Sequence, residues 1–196
     1  ITRTCEIEVT PEAEVQLVFD SSLGDAMKAT GSGTLNMALN EDGDFTIFGD
    51  YVIEDGEYQL TLGNIFNKKF VVEEGGTISW NGDIMDAYVD ARAIYKLKAS
   101  LEDLLQDEAY SSRIPVECHL NMSGQLVNPV IGFDIYLPTA DEGARTLLND
   151  MIDSEEDMSR QFLYLLVMNS FYPGPSLASS AVNTTNAGAS AMGVTT

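Results

Sequence analysis

From Cys5 to Leu137 this chain mostly alternates apolar and polar side chains, and a period of two is the mark of half-buried β-strand. Cys5, Ile7 and Val9 alternate with Glu6 and Glu8, and Val15, Leu17 and Phe19 follow. Leu35, Met37 and Leu39 are next, then Phe45, Ile47, Tyr51 and Ile53, then Tyr58, Leu60 and Leu62. Phe70, Val72, Ile78 and Trp80 continue the series. Between the runs stand Asn40-Glu41-Asp42-Gly43-Asp44, Glu54-Asp55-Gly56, Glu73-Glu74-Gly75-Gly76 and Asn81-Gly82-Asp83. All are built from residues that tolerate the positive φ of tight turns. The stretch GDYVIEDGEYQLTL, residues 49–62, therefore reads as one β-hairpin in a long antiparallel meander of about ten strands.

Ala87 to Ala99 is the longest uninterrupted run. At about 3.3 Å per residue it would span roughly 40 Å, where common strands reach about 20 Å. Its small residues Ala87, Ala91, Ala93 and Ala99 leave room on one face, beside the bulkier Tyr95 and Leu97. A charged connection from Leu101 to Arg113, with a helical turn, leads to further alternation over Ile114–Met122 and Ile131–Leu137. After Pro138 the period becomes helical. Thr139-Ala140-Asp141-Glu142 reads as a capping box, followed by Ala144, Leu147, Leu148, Met151 and Ile152 at amphipathic spacing. Ser154 caps a second helix whose apolar core, Phe162–Met168, should be buried on most sides and which Pro173-Gly174-Pro175 ends. The stretch 173–196 has no charged residue and reads as a flexible linker.

Composition narrows the function classes. With 44% hydrophobic residues the chain can bury a core. With 10 Lys and Arg against 31 Asp and Glu, its net charge of −21 disfavours nucleic acid and anionic lipid surfaces as partners. No stretch is long and apolar enough for a membrane-spanning helix, and no leader opens the sequence, whose abrupt strand-like start suggests a piece of a longer chain. His119 is the single histidine and falls on the polar face of its strand, a surface imidazole. Cys5 and Cys118 fall on apolar faces and read as buried free thiols, with a bridge between strands the alternative in an oxidising compartment. No nucleophile–base pair, nucleotide loop, cofactor or metal site is indicated, and Asn40–Asp44 reads as a plain Asp-Gly turn.

The shared phase places Leu17, Phe19, Leu35, Met37, Leu60, Leu62, Phe70, Ile78, Trp80, Leu97 and Phe133 on one face. A closed sandwich or barrel core and an open, curved trough for an apolar ligand both need this alternation, which does not separate them.

The residues VQLVFDSSLGD (15–25), GSGTLNMAL (31–39), GDFTIFGDYVIEDGEYQLTLGNIFNKKFVVEEGGTISWNGD (43–83) and KASLEDL (98–104) resemble the C-terminal domain of the TamB family. SGQLVNPVIGFDIYLP (123–138) and RQFLYLLVMNSF (160–171) look like its continuation, while Ile84 replaces the usual proline. The resemblance implies a mainly β fold: a long, curved antiparallel sheet forming a U-shaped trough over 1–138, two short helices in 139–172 covering part of it, and the linker 173–196. It also implies the periplasmic part of an inner-membrane-anchored protein of Gram-negative envelopes, engaged in phospholipid transport and outer-membrane protein assembly without catalysis. The implied ligand is the phospholipid acyl chain, held by the face above together with Ala91, Ala93 and Tyr95. The implied partner is a TamA-type outer-membrane barrel, met through family regions largely outside this stretch. The other reading within the resemblance is a scaffold that offers strand edges to client barrels by β-augmentation.

Overall fold

The computed structural model describes residues 2–20, 25–62 and 66–173. The side chains of Asp20 and Leu62 and the expected linker beyond Pro173 lie outside the described residues. The chain is mainly β, with one nine-stranded antiparallel sheet and helices toward the C-terminus. It divides into two compact units, residues 1–96 with 117–136, and residues 97–116 with 137 onward.

The strands are β1 (Arg3–Val9), β2 (Glu14–Asp20), β3 (Asp25–Leu39), β4 (Phe45–Leu62), β5 (Phe66–Val72), β6 (Thr77–Asp83), β7 (Tyr88–Ala99), β8 (Ile114–Gln125) and β9 (Val130–Tyr136). Their pairing corrects the hairpin expected at residues 49–62. The chain does not turn at Glu54-Asp55-Gly56. It runs through as one strand of 18 residues, roughly 60 Å at about 3.3 Å each. Opposite it, Thr30 pairs with Asp55 and Gly31 with Ile53, so Glu54 is an extra residue, a β-bulge. Glu73–Gly76 is likewise no hairpin turn. β5 pairs with 56–62 of β4 and β6 with 46–52, so the two follow one another along the same edge. The interruption at 73–76 is pinned by Ile53 N–H donating to Gly76 O at 2.7 Å and Gly75 N–H donating to Ile53 O at 2.8 Å. β1 and β2 repeat the arrangement along β3, with 10–13 as their interruption. Three rows of strand thus change register on one line across the sheet. Asn40–Asp44 is a true hairpin turn, as expected, closed by Asn40 N–H to Asp44 O at 3.1 Å.

The bulge reverses parity within β4. Before it the odd residues Ile47, Tyr51 and Ile53 are buried; after it the even residues Tyr58 and Leu60 are. On unbroken β3 the odd residues Met27, Ala29 and Leu35 are buried throughout, so both halves of β4 present the same face. Close approach of β3 and β4 needs glycine: a Cβ on Gly31 would meet Val52 O at 2.1 Å. The Tyr51 ring lies against Gly31, and its hydroxyl donates to Ala29 O at 3.3 Å.

The second unit holds α1 (Glu102–Leu105), a 3₁₀ turn at Glu108–Tyr110, α2 (Glu142–Met151) and α3 (Glu155–Met168). The cap of α2 is Asp141, whose carboxylate accepts from Ala144 N–H at 2.8 Å, and not the expected Thr139. Ser154 caps α3 as expected, accepting from Asp157 N–H at 3.1 Å. α3 stops at Asn169, in the left-handed conformation, before Pro173 is reached. Nor is Phe162–Met168 buried on most sides: Phe162, Leu165 and Leu166 are buried, whereas Leu163, Val167 and Met168 are exposed. Gln161 clamps the following segment, donating to Tyr172 O at 3.1 Å and accepting from Tyr172 N–H at 2.8 Å.

Two outcomes check these assignments. Deleting Glu54 should turn Tyr58 and Leu60 outward and cost at least about 3 kcal/mol, while Glu54→Ala at this exposed site should shift stability by under about 0.5 kcal/mol, as read by urea unfolding. Asp141→Ala should cost about 1 kcal/mol, and Thr139→Ala nearly nothing.

Candidate functional site

The first unit carries an apolar face on the side where the parity of β3 directs its odd residues. Leu17 pairs with Met27, Met27 with Tyr58, and Tyr58 with Phe70, which brings four strands' side chains into one row. Aromatic rings run along it. Phe19, itself at a second bulge, lies 5.8 Å from Tyr58; Tyr58 lies 6.5 Å from Phe70; and Phe70 lies 5.6 Å from Tyr95. These centroid separations are those of favourable tilted and edge-to-face pairs. The row ends in polar groups. Asp25 accepts from Thr61 N–H at 2.7 Å, and Lys68 stands over the Tyr95 ring at 5.2 Å with Nζ 3.4 Å from its hydroxyl. Burial, and then Asp25 beside it, push the Tyr58 phenol well above its ordinary value, so it stays a neutral donor.

A second row crosses the other half. Leu35 stands opposite Gly49, and Gly49 opposite Trp80. Gly49 adopts a φ of 136°, and a Cβ there would collide with Thr34 O at 2.2 Å. The Leu35 side chain lies over this glycine, with Cδ2 3.2 Å from where a Cβ would stand.

The structure places the expected face residues unequally. Leu35, Leu60, Phe70, Ile78, Ala91 and Ala93 are buried. Leu17, Phe19, Met37, Trp80, Tyr95 and Phe133 are half-buried. Leu97 is half-buried and belongs to the second unit, and the Leu62 side chain lies outside the described residues. The apolar face is thus closed in its middle and partly accessible at the second set. Tyr51, Tyr58 and Met27, among its most buried residues, are not in the expected list: Tyr51 and Tyr58 stand in the same alternation without being assigned to the face, and Met27 lies in a stretch where no alternation is read.

Two expectations about reactive groups are overturned. His119 is not a surface imidazole: it is only 9% exposed, because Tyr136 lies 6.0 Å away, ring to ring, and Glu117 Oε2 stands 3.0 Å from Nε2. Cys5 is exposed, because β1 is the terminal strand of the sheet and has a neighbour on one side only. Cys118 is buried as expected, and burial pushes its thiol up to about 12, so it stays protonated and unreactive. The hydrogen bond from His119 holds the Glu117 carboxyl below its ordinary value; burial opposes this, and Lys96 Nζ, 3.4 Å away, adds to it. Among the described residues no cluster of three His, Cys, Asp or Glu side chains could hold a metal ion. Among the described residues no helix is long and apolar enough to cross a membrane.

The arrangement is that of an extended-sheet module with apolar contact area. The family model described as the TamB C-terminal domain matches residues 4–196, and the chain belongs to the TamB family. That family serves envelope assembly and is not one of enzymes, which makes this chain an envelope-biogenesis module. No curated protein matches it.

The Glu117 contact predicts a pH signature. A carboxyl held below its ordinary value in the folded state stabilises the fold above that value, 4.5, and loses this contribution as pH falls below it. Glu117→Gln should lower stability at neutral pH by about 1–2 kcal/mol. The difference between the two proteins, read from urea midpoints across a pH series, should shrink as pH drops through 4.5.

Proposed function

We propose that the chain is a non-catalytic module that receives phospholipid acyl chains on its apolar face and passes them between the inner and outer membranes. The observation that carries this reading is the constancy of that face: the Glu54 bulge keeps Ile47, Tyr51, Tyr58 and Leu60 on one side of a single long strand. A sheet with one apolar phase over such a length suits a ligand that is itself long, apolar and unbranched. Each methylene removed from water contributes about 0.8 kcal/mol. The half-buried residues Leu17, Phe19, Met37, Trp80 and Tyr95 are the entry surface in this reading, where acyl chains lie along the margins of the face with head groups left in water. The module acts in the periplasm as part of an inner-membrane-anchored protein whose outer-membrane partner is a TamA-type barrel.

A second reading, a scaffold for client barrels, is favoured by one feature. β1 is a terminal strand that pairs only with β3 and is exposed along nearly its whole length, which offers a free edge for β-augmentation.

The test uses the accessible positions. Ala93, at 0% exposure opposite Val72, is unsuited, since a charge there would disrupt folding. Photo-crosslinkers at Met37, Trp80 and Phe19 should capture phospholipid in cells, and one at Asp90 should not. Met37→Asp should reduce lipid co-purification several-fold with unchanged circular dichroism. Added salt should leave binding unaffected, because apolar burial drives it. Absence of lipid adducts at all three positions would remove the conduit reading, and protein adducts along β1 would support the scaffold.

A further inference from the structure

The antiparallel course of the strands brings three turns to one end of the sheet: 40–44 between β3 and β4, 84–87 between β6 and β7, and 126–129 between β8 and β9. They form one surface. Thr46 pairs with Asp83, which sets the first turn beside the second. Leu126 N–H donates to Ala87 O at 2.7 Å, and Gln125 Nε2 donates to Asp86 Oδ1 at 2.9 Å, which tie the third turn to the second. All three lie in the first unit.

Turn tips in water are ordinarily polar, yet the second and third of these carry bulky apolar side chains. Ile84 and Met85 of the second turn and Val127 of the third are exposed, Met85 at 64%, and Val130 beside the third turn is 67% exposed. Around them stand the exposed carboxylates Glu41, Asp42, Asp44, Asp83 and Asp86. Arg3, whose backbone pairs with Leu39, is a cation at this end. An apolar centre with an acidic rim is the anatomy of a docking surface. Its charge selects the occupant. A second copy would set acid against acid, and an anionic bilayer would be repelled in the same way.

We propose that this tip docks a protein partner whose contact surface has an apolar centre bordered by Lys and Arg. The site is distinct from the apolar face and does not depend on that face holding lipid.

A photo-crosslinking amino acid placed at Met85 or at Val127 of the full-length protein in cells tests this, with Lys69 as an exposed control. Protein adducts are expected at both tip positions and not at the control, and the crosslinked peptide, sequenced by mass spectrometry, should be apolar and flanked by Lys or Arg. The triple variant Asp42→Asn, Asp83→Asn, Asp86→Asn keeps the acceptors used by Met85 N–H and Gln125. It should retain the urea midpoint and lose about tenfold in adduct yield, as added salt should also cause. Phospholipid adducts at the tip, or flotation of the purified protein with phosphatidylcholine vesicles that is lost in Met85→Asp, would instead make the tip a membrane contact and overturn the proposal. No adduct, or protein adducts indifferent to the triple variant and to salt, would overturn it as well.

Discussion

Everything in the sheet depends on parity. Side chains in a strand alternate between two faces, so a single extra residue exchanges inside for outside along the rest of that strand. In this protein a register change crosses several strands, and the burial of the face survives because each strand accommodates it in a compatible way. β4 takes in one residue, Glu54, and reverses its parity, while β3 beside it stays regular. Between Val72 and Thr77 the chain spends four residues where β7 spends two, Ala91 and Arg92, and parity is kept. Phe70 and Ile78, on either side of that interruption, are consequently both wholly buried.

Burial, and not charge pairing, holds this sheet. Lys28 with Glu14 and Lys69 with Glu57 join well-exposed side chains on neighbouring strands, and such pairs contribute at most about 1 kcal/mol; Lys96 with the more covered Glu117 is a third inter-strand pair. The polar face serves solubility in a chain of net charge −21. The apolar face carries the cohesion, with the aromatic row from Phe19 to Tyr95 at one end and Leu35 over Gly49 at the other. An envelope module that meets apolar material needs this division: a firm middle that keeps the strands in register, and margins where side chains are only half covered.

The sequence made the strand class, the Asn40–Asp44 turn and the two C-terminal helices legible, because each rests on local chemistry that nothing distant overrides. It misread Glu54-Asp55-Gly56 and Glu73–Gly76 for a specific reason. Gly, Asp and Glu allow backbone departures from the pleat, and a bulge uses the same residues as a turn; which occurs is decided by the partner strand. His119 was placed on the correct face but not at the correct depth, since Glu117 and Tyr136 close over it only once β8 and β9 pair. Cys5 has a phase that fits the apolar face, yet its strand is terminal, and strand order cannot be read from alternation. The apolar face itself was largely legible, since phase is a local property. Its division into closed and accessible parts was not, because exposure depends on what else the fold brings near.

The interruptions at 10–13 and 73–76 have a consequence for how this protein can vary. Elsewhere in β3 or β4 a change of length by one residue inverts a face. At 10–13 the chain has left the ladder and its residues are exposed, and at 73–76 the exposed Glu74 stands between the bonded Glu73 and Gly75. They are the expansion joints of the sheet: places where extra residues, a reporter sequence or an inserted peptide can loop outward while the strands on either side keep their partners.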